Sequence, residues 1–329
     1  MTDKSNIYIM SLDPRVSINQ VQVNKIGQVI KDLPAASQPD FVGDYLPSIN
    51  HPLTLDYFFA VTLQQFSFWE TVDGKYDKPL LAVLDGKQMK GSSYLFYAYT
   101  RMLEVKPAFF TPEGQANLSM ENLEDVFRDD QGNVQMPAIE LHLQQARAYG
   151  RDMLESDLTP EKILKESHNS EKPLGTFLSI LDQLSGYKKD PLQKKSNLLA
   201  LCLSQRPEGF LKFGEDESIG PIVDYHCMRS ILRTGMIDIL DEDMKTKLTH
   251  RQIVSPRDEW AVRFASYQVL KQLVELSGRP ISVVDEFLFR YMRSHCPEMT
   301  EPKCSECLLD KVCAKRKELF QPVIRTTFY

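Results

Sequence analysis

Four cysteines near the end of the sequence are the residues whose type and spacing most directly indicate chemistry. Cys296, Cys304, Cys307 and Cys313 follow the pattern C-x7-C-x2-C-x5-C. Thiolates are soft ligands, and a set of four sulfurs selects zinc or an iron-sulfur cluster over hard, oxygen-loving cations. The spacing therefore predicts a metal centre in this loop, and the ligands alone leave zinc and iron-sulfur both open.

A second candidate is Asp224, in the segment Ile222-Val-Asp-Tyr-His-Cys-Met-Arg229. Cleaving the bond between a sugar and a base needs a carboxylate that stabilises the positive charge developing on the sugar or activates a nucleophile. An aspartate at a helix start is held in place, and the helix dipole favours its ionised form. Asp224 is therefore a candidate catalytic carboxylate; the competing interpretation is an ordinary aspartate at the start of a helix.

Two adjacent lysines, Lys194 and Lys195, form a third candidate site upstream of Asp224. A lysine amine that has lost its proton can attack a sugar carbon, and burial or a cationic neighbour depresses its pKa enough to allow this. Either lysine is thus a candidate nucleophile. A solvated basic turn is the alternative interpretation.

Aromatic residues supply candidate base-binding positions. Phe68 is the last residue of a predicted helix from Leu53 to Phe68, Trp69 ends that helix, and Tyr94 begins an aromatic stripe in a later helix. Such residues can sandwich a base, although at helical spacing they also suit a protein core. The predicted substrate-binding residues are Phe68, Trp69, Tyr94, Tyr225 and His226.

The composition limits the partners. The 329 residues are 42% hydrophobic and 26% charged, with a net charge of −6. A DNA-binding protein of this charge needs a local basic patch. Basic residues around the cysteine loop could contact phosphates: Lys303, Lys311, Lys315, Arg316, Lys317 and Arg325. Three nearby acids reduce the positive charge of this region: Glu298, Glu301 and Glu306.

The rest of the composition is that of a globular chain. It shows no apolar run long enough for a membrane span and no pattern of a secretory signal, so we expect a cytoplasmic monomer without a membrane partner. The remaining cysteines, Cys202 and Cys227, are predicted to be buried thiols.

The elements that must position these residues are predicted to be mainly helical. A helix begins near Gly220 and ends at Gly235, and a long helix that carries Trp260 ends at Gly278. Ser282-Val-Val-Asp285 is predicted to be a capping box that starts the last helix before Cys296. We expect two lobes, a mostly helical one with aromatic helices over 1–174 and one over 175–329 that holds Asp224 and the cysteine loop.

Two of these segments resemble parts of one known superfamily. Cys296 to Cys313 resembles the 4Fe-4S cluster loop of endonuclease III and the adenine glycosylases, in the helix-hairpin-helix (HhH-GPD) superfamily of base-excision DNA glycosylases, with one extra residue in the first gap. Val223, Asp224, His226 and Arg229 match the V-D-x-H-x-x-R segment around that family's catalytic aspartate. The resemblance implies a two-lobed helical fold, a 4Fe-4S cluster with zinc as the alternative, and DNA containing a modified base as the partner.

The chain departs from that family between Gln205 and Gly220, where the hairpin turn that grips a DNA phosphate is absent. Upstream, the stretch from Asp190 to Lys194 resembles instead the D-P-x-x-K segment of the archaeal 8-oxoguanine DNA glycosylases. That resemblance implies that Lys194 is a Schiff-base nucleophile, with Lys195 as the competing assignment.

A further resemblance reaches the N-terminal half. Phe66-Ser-Phe-Trp69, Lys90–Tyr94, Lys194-Lys195 and Val223–Tyr225 resemble the F-x-F-W, T-G-Y, K-R-A and A-D-Y-R segments of queuosine nucleotide salvage glycosylases. In that family the aspartate faces a free modified nucleotide. The acidic balance favours this relationship because a mononucleotide needs fewer compensating charges than a duplex. The cysteine loop favours DNA.

The leading prediction is therefore hydrolysis of the N-glycosidic bond to a modified purine-like base in DNA, with Asp224 stabilising the sugar cation. Lys194 or Lys195 would add lyase chemistry, and the base would leave the stack to enter an aromatic pocket. Two alternatives remain: a queuosine-type nucleotide N-glycosylase in nucleobase salvage, and a non-catalytic module that binds nucleic acid or protein.

Overall fold

The computed structural model describes residues 8–34 and 39–329, and α-helices are its main elements, as predicted. In this described part of the chain, no helix is both long and apolar enough to cross a membrane. The helices are α1 (Gln20–Lys31), α2 (Thr54–Thr62), α3 (Gly91–Val105), α4 (Pro112–Ala116), α5 (Met120–Val126), α6 (Ile139–Glu155), α7 (Pro160–His168), α8 (Pro173–Leu181), α9 (Lys194–Gln205), α10 (Tyr225–Thr234), α11 (Glu242–Thr249), α12 (Pro256–Ser277), α13 (Ile281–Glu286) and α14 (Met292–His295).

The strands are short and pair in twos. They are β1 (Val16–Ile18), β2 (Trp69–Val72), β3 (Lys75–Pro79), β4 (Leu81–Leu84), β5 (Lys87–Lys90) and β6 (Ile237–Ile239). β2 pairs with β3, β4 runs antiparallel to β5, and β1 runs antiparallel to β6 with Val16 opposite Ile239. A π-helical turn (Phe287–Tyr291) joins α13 to α14.

The chain divides into two compact units. Unit 1 comprises Thr71–Asp77, Gly220–Arg325 and the described part of Met1–Pro39. Unit 2 comprises Asp40–Glu70, Lys78–Ile219 and Thr326–Tyr329. Neither unit coincides with a predicted lobe, because elements far apart in the sequence pack together. In unit 1, β1 pairs with β6 and α1 packs on α12; in unit 2, α9 packs on α2.

Close packing holds α1 on α12 in unit 1. A Cβ added to Gly27 would lie 3.1 Å from the Leu276 Cβ, so the absence of a side chain lets the two helices approach. Helix α12 starts with a capping box between Ser255 and Asp258, whose carboxylate also pairs with Arg15 at 2.6 Å. α12 is therefore anchored at its first turn and along its buried face.

Several predicted helix ends are confirmed. Gly235 and Gly278 end α10 and α12 in the left-handed conformation, with φ of 80° and 62°. The predicted capping box at Ser282 is wrong, because α13 begins one residue earlier, after Pro280, and has no side-chain cap. The predicted helix from Leu53 to Phe68 is shorter than expected, since α2 ends at Thr62.

Candidate active site

Asp224 forms the N-cap of α10, in unit 1. Its backbone is extended (φ −114°, ψ −177°), and its Oδ1 accepts a hydrogen bond of 2.9 Å from the Cys227 backbone N–H. Such a cap satisfies one of the donors that the first turn of a helix leaves unpaired, and the helix dipole stabilises the negative charge. The helix itself therefore sets the position of this carboxylate.

Asp224 is also where this buried segment reaches solvent. From Pro221 to Ile237, all of which the structure describes, Asp224 alone is half-buried and every other residue is buried. The cap uses Oδ1 of this carboxylate. A carboxylate in this position can accept a proton from, or stabilise a positive charge on, a bound molecule.

His226 and Arg229 form a buried pair in the first turns of α10. Arg229 Nη2 donates to His226 Nδ1 at 2.9 Å, so the neutral imidazole carries its proton on Nε2. Burial lowers the pKa of His226 to about 3, and the positive charge of Arg229 also lowers it. At neutral pH His226 is therefore uncharged, and a substrate contact by this residue would be that of a neutral ring.

The sequence reasoning missed the rest of this polar network. Arg229 Nη1 donates to Gln321 Oε1 at 2.8 Å and lies 3.9 Å from Glu298. Gln321 Nε2 and the Tyr76 hydroxyl both donate to Glu298 Oε1, at 2.9 and 2.5 Å. All of these side chains are buried, where a charge needs partners to avoid a large desolvation cost.

Glu298 connects the cysteine loop to the Asp224 helix through this network. It lies two positions after Cys296, and the sequence interpretation placed it among the glutamates that dilute surface charge. That placement is wrong, because the side chain is 2% exposed and is held by Gln321 and Tyr76. The sequence signal was a single acid beside a proline, which does not distinguish a buried carboxylate from a surface one.

Lys194 and Lys195 lie in unit 2, in the first turn of α9. Lys195 Nζ donates to the Leu63 carbonyl at 2.9 Å, and Lys194 Nζ lies 3.5 Å from the carbonyl of Gln65. Both side chains are buried, so the interpretation as a solvated basic turn is wrong. The lysines contact the backbone of the segment that follows α2, and a nucleophilic role stays a prediction.

The other predicted base-binding residues of unit 2 are buried too. The Tyr94 hydroxyl donates to the Phe127 carbonyl at 2.6 Å, and the Phe68 carbonyl accepts from Leu80 N–H at 2.8 Å. Tyr94 therefore has the environment of a core residue, while Phe68 and Trp69 are each 5% exposed. In unit 1, Tyr225 is buried with its ring 4.2 Å from that of His226. Their contacts with a substrate stay predictions.

The cysteine loop packs against the C-terminal end of α10. Ala314 N–H donates to the Thr234 carbonyl at 3.2 Å, and Arg316 N–H donates to the Arg233 carbonyl at 2.9 Å. The four cysteines of the loop are half-buried free thiols that line one cavity. Burial raises the pKa of the Cys313 thiol, and negative charge on the other three cysteines raises it further.

Three of the basic residues around this loop are paired with acids. Lys315 lies 2.7 Å from Asp310, Arg316 2.5 Å from Asp238, and Lys317 3.6 Å from Glu301. These pairs are partly exposed, so each contributes little to stability, but the acids offset the positive charge that a DNA phosphate would need.

The family model of the queuosine salvage protein matches residues 45–307. The chain belongs to the queuosine salvage protein family. Among curated proteins, the queuosine 5'-phosphate N-glycosylase/hydrolase of Schizosaccharomyces pombe is 25% identical over 306 residues, which covers 82% of this chain and 86% of that relative. The match to this family spans α9, Asp224 and three of the four cysteines.

Membership of the queuosine salvage protein family places the nucleotide-salvage alternative ahead of the DNA glycosylase prediction. The predicted hydrolysis of an N-glycosidic bond agrees with the activity in the relative's name. Between the two substrates considered, the match favours the alternative, a queuosine-type nucleotide, and gives no support to DNA, base excision repair or the HhH-GPD superfamily. The short N-terminal motifs were thus a better guide than the cysteine loop, whose similarity to endonuclease III rests on ligand spacing.

Proposed function

We propose that this protein hydrolyses the N-glycosidic bond of queuosine 5'-phosphate and releases the free base. The observation that carries the proposal is the half-buried Asp224 carboxylate at the N-terminus of α10, within the part of the chain that matches the queuosine salvage family. The acidic chain supports a free nucleotide over a duplex, because a single nucleotide carries few phosphates to neutralise.

The chemistry assigned to Asp224 follows from its position. As the bond from the base nitrogen to the sugar C1′ breaks, positive charge grows on the sugar, and a carboxylate held at a fixed distance stabilises it. Water then forms the new bond to C1′ and gives up a proton, and the departing base nitrogen gains one. Asp224 Oδ2 is the atom that we assign to this charge or to the water proton.

The supports of Asp224 are part of the proposal. Cys227 N–H fixes Oδ1, and the buried Arg229–Glu298 network fixes the helix from which Asp224 projects. Preorganisation of this kind is worth more than the charge alone, because the group does not have to reorient as the reaction proceeds. The network thus acts through position and does not need to touch the substrate.

The test is release of base from queuosine 5'-phosphate by the purified full chain, followed by chromatography. Asp224→Asn should lower kcat by roughly 100-fold or more with a much smaller change in KM, since asparagine keeps the shape and can still cap the helix but is neutral. Asp241→Asn is the matched control: Asp241 caps α11 in the same way, accepting from the Met244 N–H, and should keep full activity.

Two outcomes would overturn the proposal. One is an Asp224→Asn protein that turns over at the wild-type rate. The other is a wild-type protein that leaves queuosine 5'-phosphate intact but releases a modified base from duplex DNA, with a borohydride-trapped adduct that Lys194→Met or Lys195→Met abolishes. The hydrolytic route proposed here forms no such adduct.

A further inference from the structure

The four cysteines that the sequence analysis singled out lie around one cavity, although they are spread along the loop. Cys296, Cys304, Cys307 and Cys313 all line it, and Met292 and Pro302 are among the other lining residues. The cavity is open in part to solvent. Four thiols on one cavity form a candidate set of metal ligands. The proposed cleavage of queuosine 5'-phosphate uses none of them.

The four thiols decide which metals suit this cavity, because sulfur ligands select zinc or an iron-sulfur cluster over hard cations. Among the described residues, no group of three or more His, Cys, Asp or Glu side chains is placed to hold one metal ion. Four cysteines on one cavity match the number of protein ligands that a 4Fe-4S cluster needs, and its irons are joined by inorganic sulfur.

Hydrogen bonds to two of the sulfurs support a thiolate site. Arg233 Nη1 lies 3.5 Å from Cys296 Sγ and also donates to the Pro297 carbonyl at 2.8 Å. The Lys315 backbone N–H donates to Cys313 Sγ at 3.3 Å. Donors to ligating sulfur, one of them from a guanidinium, stabilise the negative charge that four thiolates bring to a cluster and tune its potential.

We propose that Cys296, Cys304, Cys307 and Cys313 bind a 4Fe-4S cluster. Each thiol loses its proton to solvent and forms one bond to iron, which gives four protein ligands for the four irons. The proposal concerns the loop alone and stands whether or not the protein cleaves queuosine 5'-phosphate.

The contacts of the loop indicate a structural role for the cluster. The loop is bonded to the end of α10 through Ala314 and Arg316, and Arg233 of that helix contacts Cys296 directly. Glu298, between the first two ligands, holds the network that supports Arg229. A cluster that cross-links the loop would therefore rigidify the helix that begins at Asp224.

The experiment is metal analysis of the full chain, expressed with added iron and purified without oxygen. We expect four iron and four acid-labile sulfide per chain, with the broad visible absorbance of thiolate-to-iron charge transfer. Cys304→Ser and Cys313→Ser should lose most of the iron and the absorbance. Cys202→Ser is the matched control, because Cys202 is a buried thiol of α9 outside the cavity and should keep both.

Folding of each variant is checked by circular dichroism, and wild-type protein is also reconstituted anaerobically with iron, sulfide and a thiol reductant. One zinc per chain in place of iron would overturn the cluster assignment. So would wild-type protein that takes up no iron and sulfide on reconstitution, or folded Cys304→Ser and Cys313→Ser proteins that retain wild-type iron.

Discussion

His226 makes the stability of the protein depend on pH. Burial lowers its pKa from 6.5 to about 3 in the folded chain, so between these values the unfolded chain binds the extra proton. Stability is then fully present above about pH 6.5 and falls as the pH drops towards 3, by up to about 1.4 kcal/mol for each unit of pKa difference. Urea unfolding should show a smaller loss between pH 7 and pH 5 for His226→Gln than for the wild type. Equal losses would contradict the assignment.

Asp56 makes the stability of the protein fall as the pH rises, which is opposite to the effect of His226. Burial raises its pKa from 3.8 to about 6, and the negative Glu161 and Glu113 raise it further. The folded chain therefore holds the proton more tightly, and stability is lost as the pH rises from about 4 to 6. Asp56→Asn should raise the free energy of unfolding at pH 8 by about 1–2 kcal/mol, after allowance for solvent screening, and change it little at pH 4. No gain at pH 8 would show that the charge is already compensated.

Among the elements, α10 is the one whose ends decide the site. It starts at the Asp224 cap and stops at Gly235, which has φ of 80° and lies against the cysteine loop. A Cβ at Gly235 would come within 2.5 Å of the Ala314 Cβ, a distance that real structures do not tolerate. Gly278 ends α12 with φ of 62° but has nothing within 4 Å of an added Cβ.

Alanine substitution at each of these two glycines distinguishes the cost of backbone strain from the cost of a packing clash. Gly278→Ala should cost about 1 kcal/mol, the usual penalty of a side chain in the left-handed region. Gly235→Ala should cost clearly more, because the helix end and the loop have to move apart as well. Urea unfolding measures both. Equal costs would mean that the loop is loosely attached to α10.

At the scale of the whole molecule, the division into two units predicts which segments would lose stability on removal of the proposed cluster. The cysteine loop, α10 and α12 all belong to unit 1, whereas α2 and α9 belong to unit 2. Metal binding that contributes to folding stabilises the segments cross-linked by the ligands. Chelation of the iron should therefore speed amide hydrogen exchange in α10 and the loop, and leave α2 and α9 near their original rates. An equal change in both units would argue against a local staple.

Much of the local structure was predictable because its causes lie within a few residues. The glycines that end α10 and α12 were recognised, since a helix end depends on the residues at that end. The wrong prediction of a capping box at Ser282 also concerns the residues at a helix end. A side-chain cap is only one of several ways to start a helix, and α13 starts after Pro280 without one.

The sequence by itself determined the mainly helical class, the position of Asp224 at a helix start and the spacing of the four cysteines in the loop, because each follows from local patterns. The tertiary structure alone decided that β1 pairs with β6, that Lys194 and Lys195 turn inward towards backbone carbonyls, and that Glu298 is buried under Arg229. These partners lie far apart along the chain, so their meeting depends on how whole elements pack. A lysine or a glutamate looks the same in a sequence whether it faces water or a buried partner.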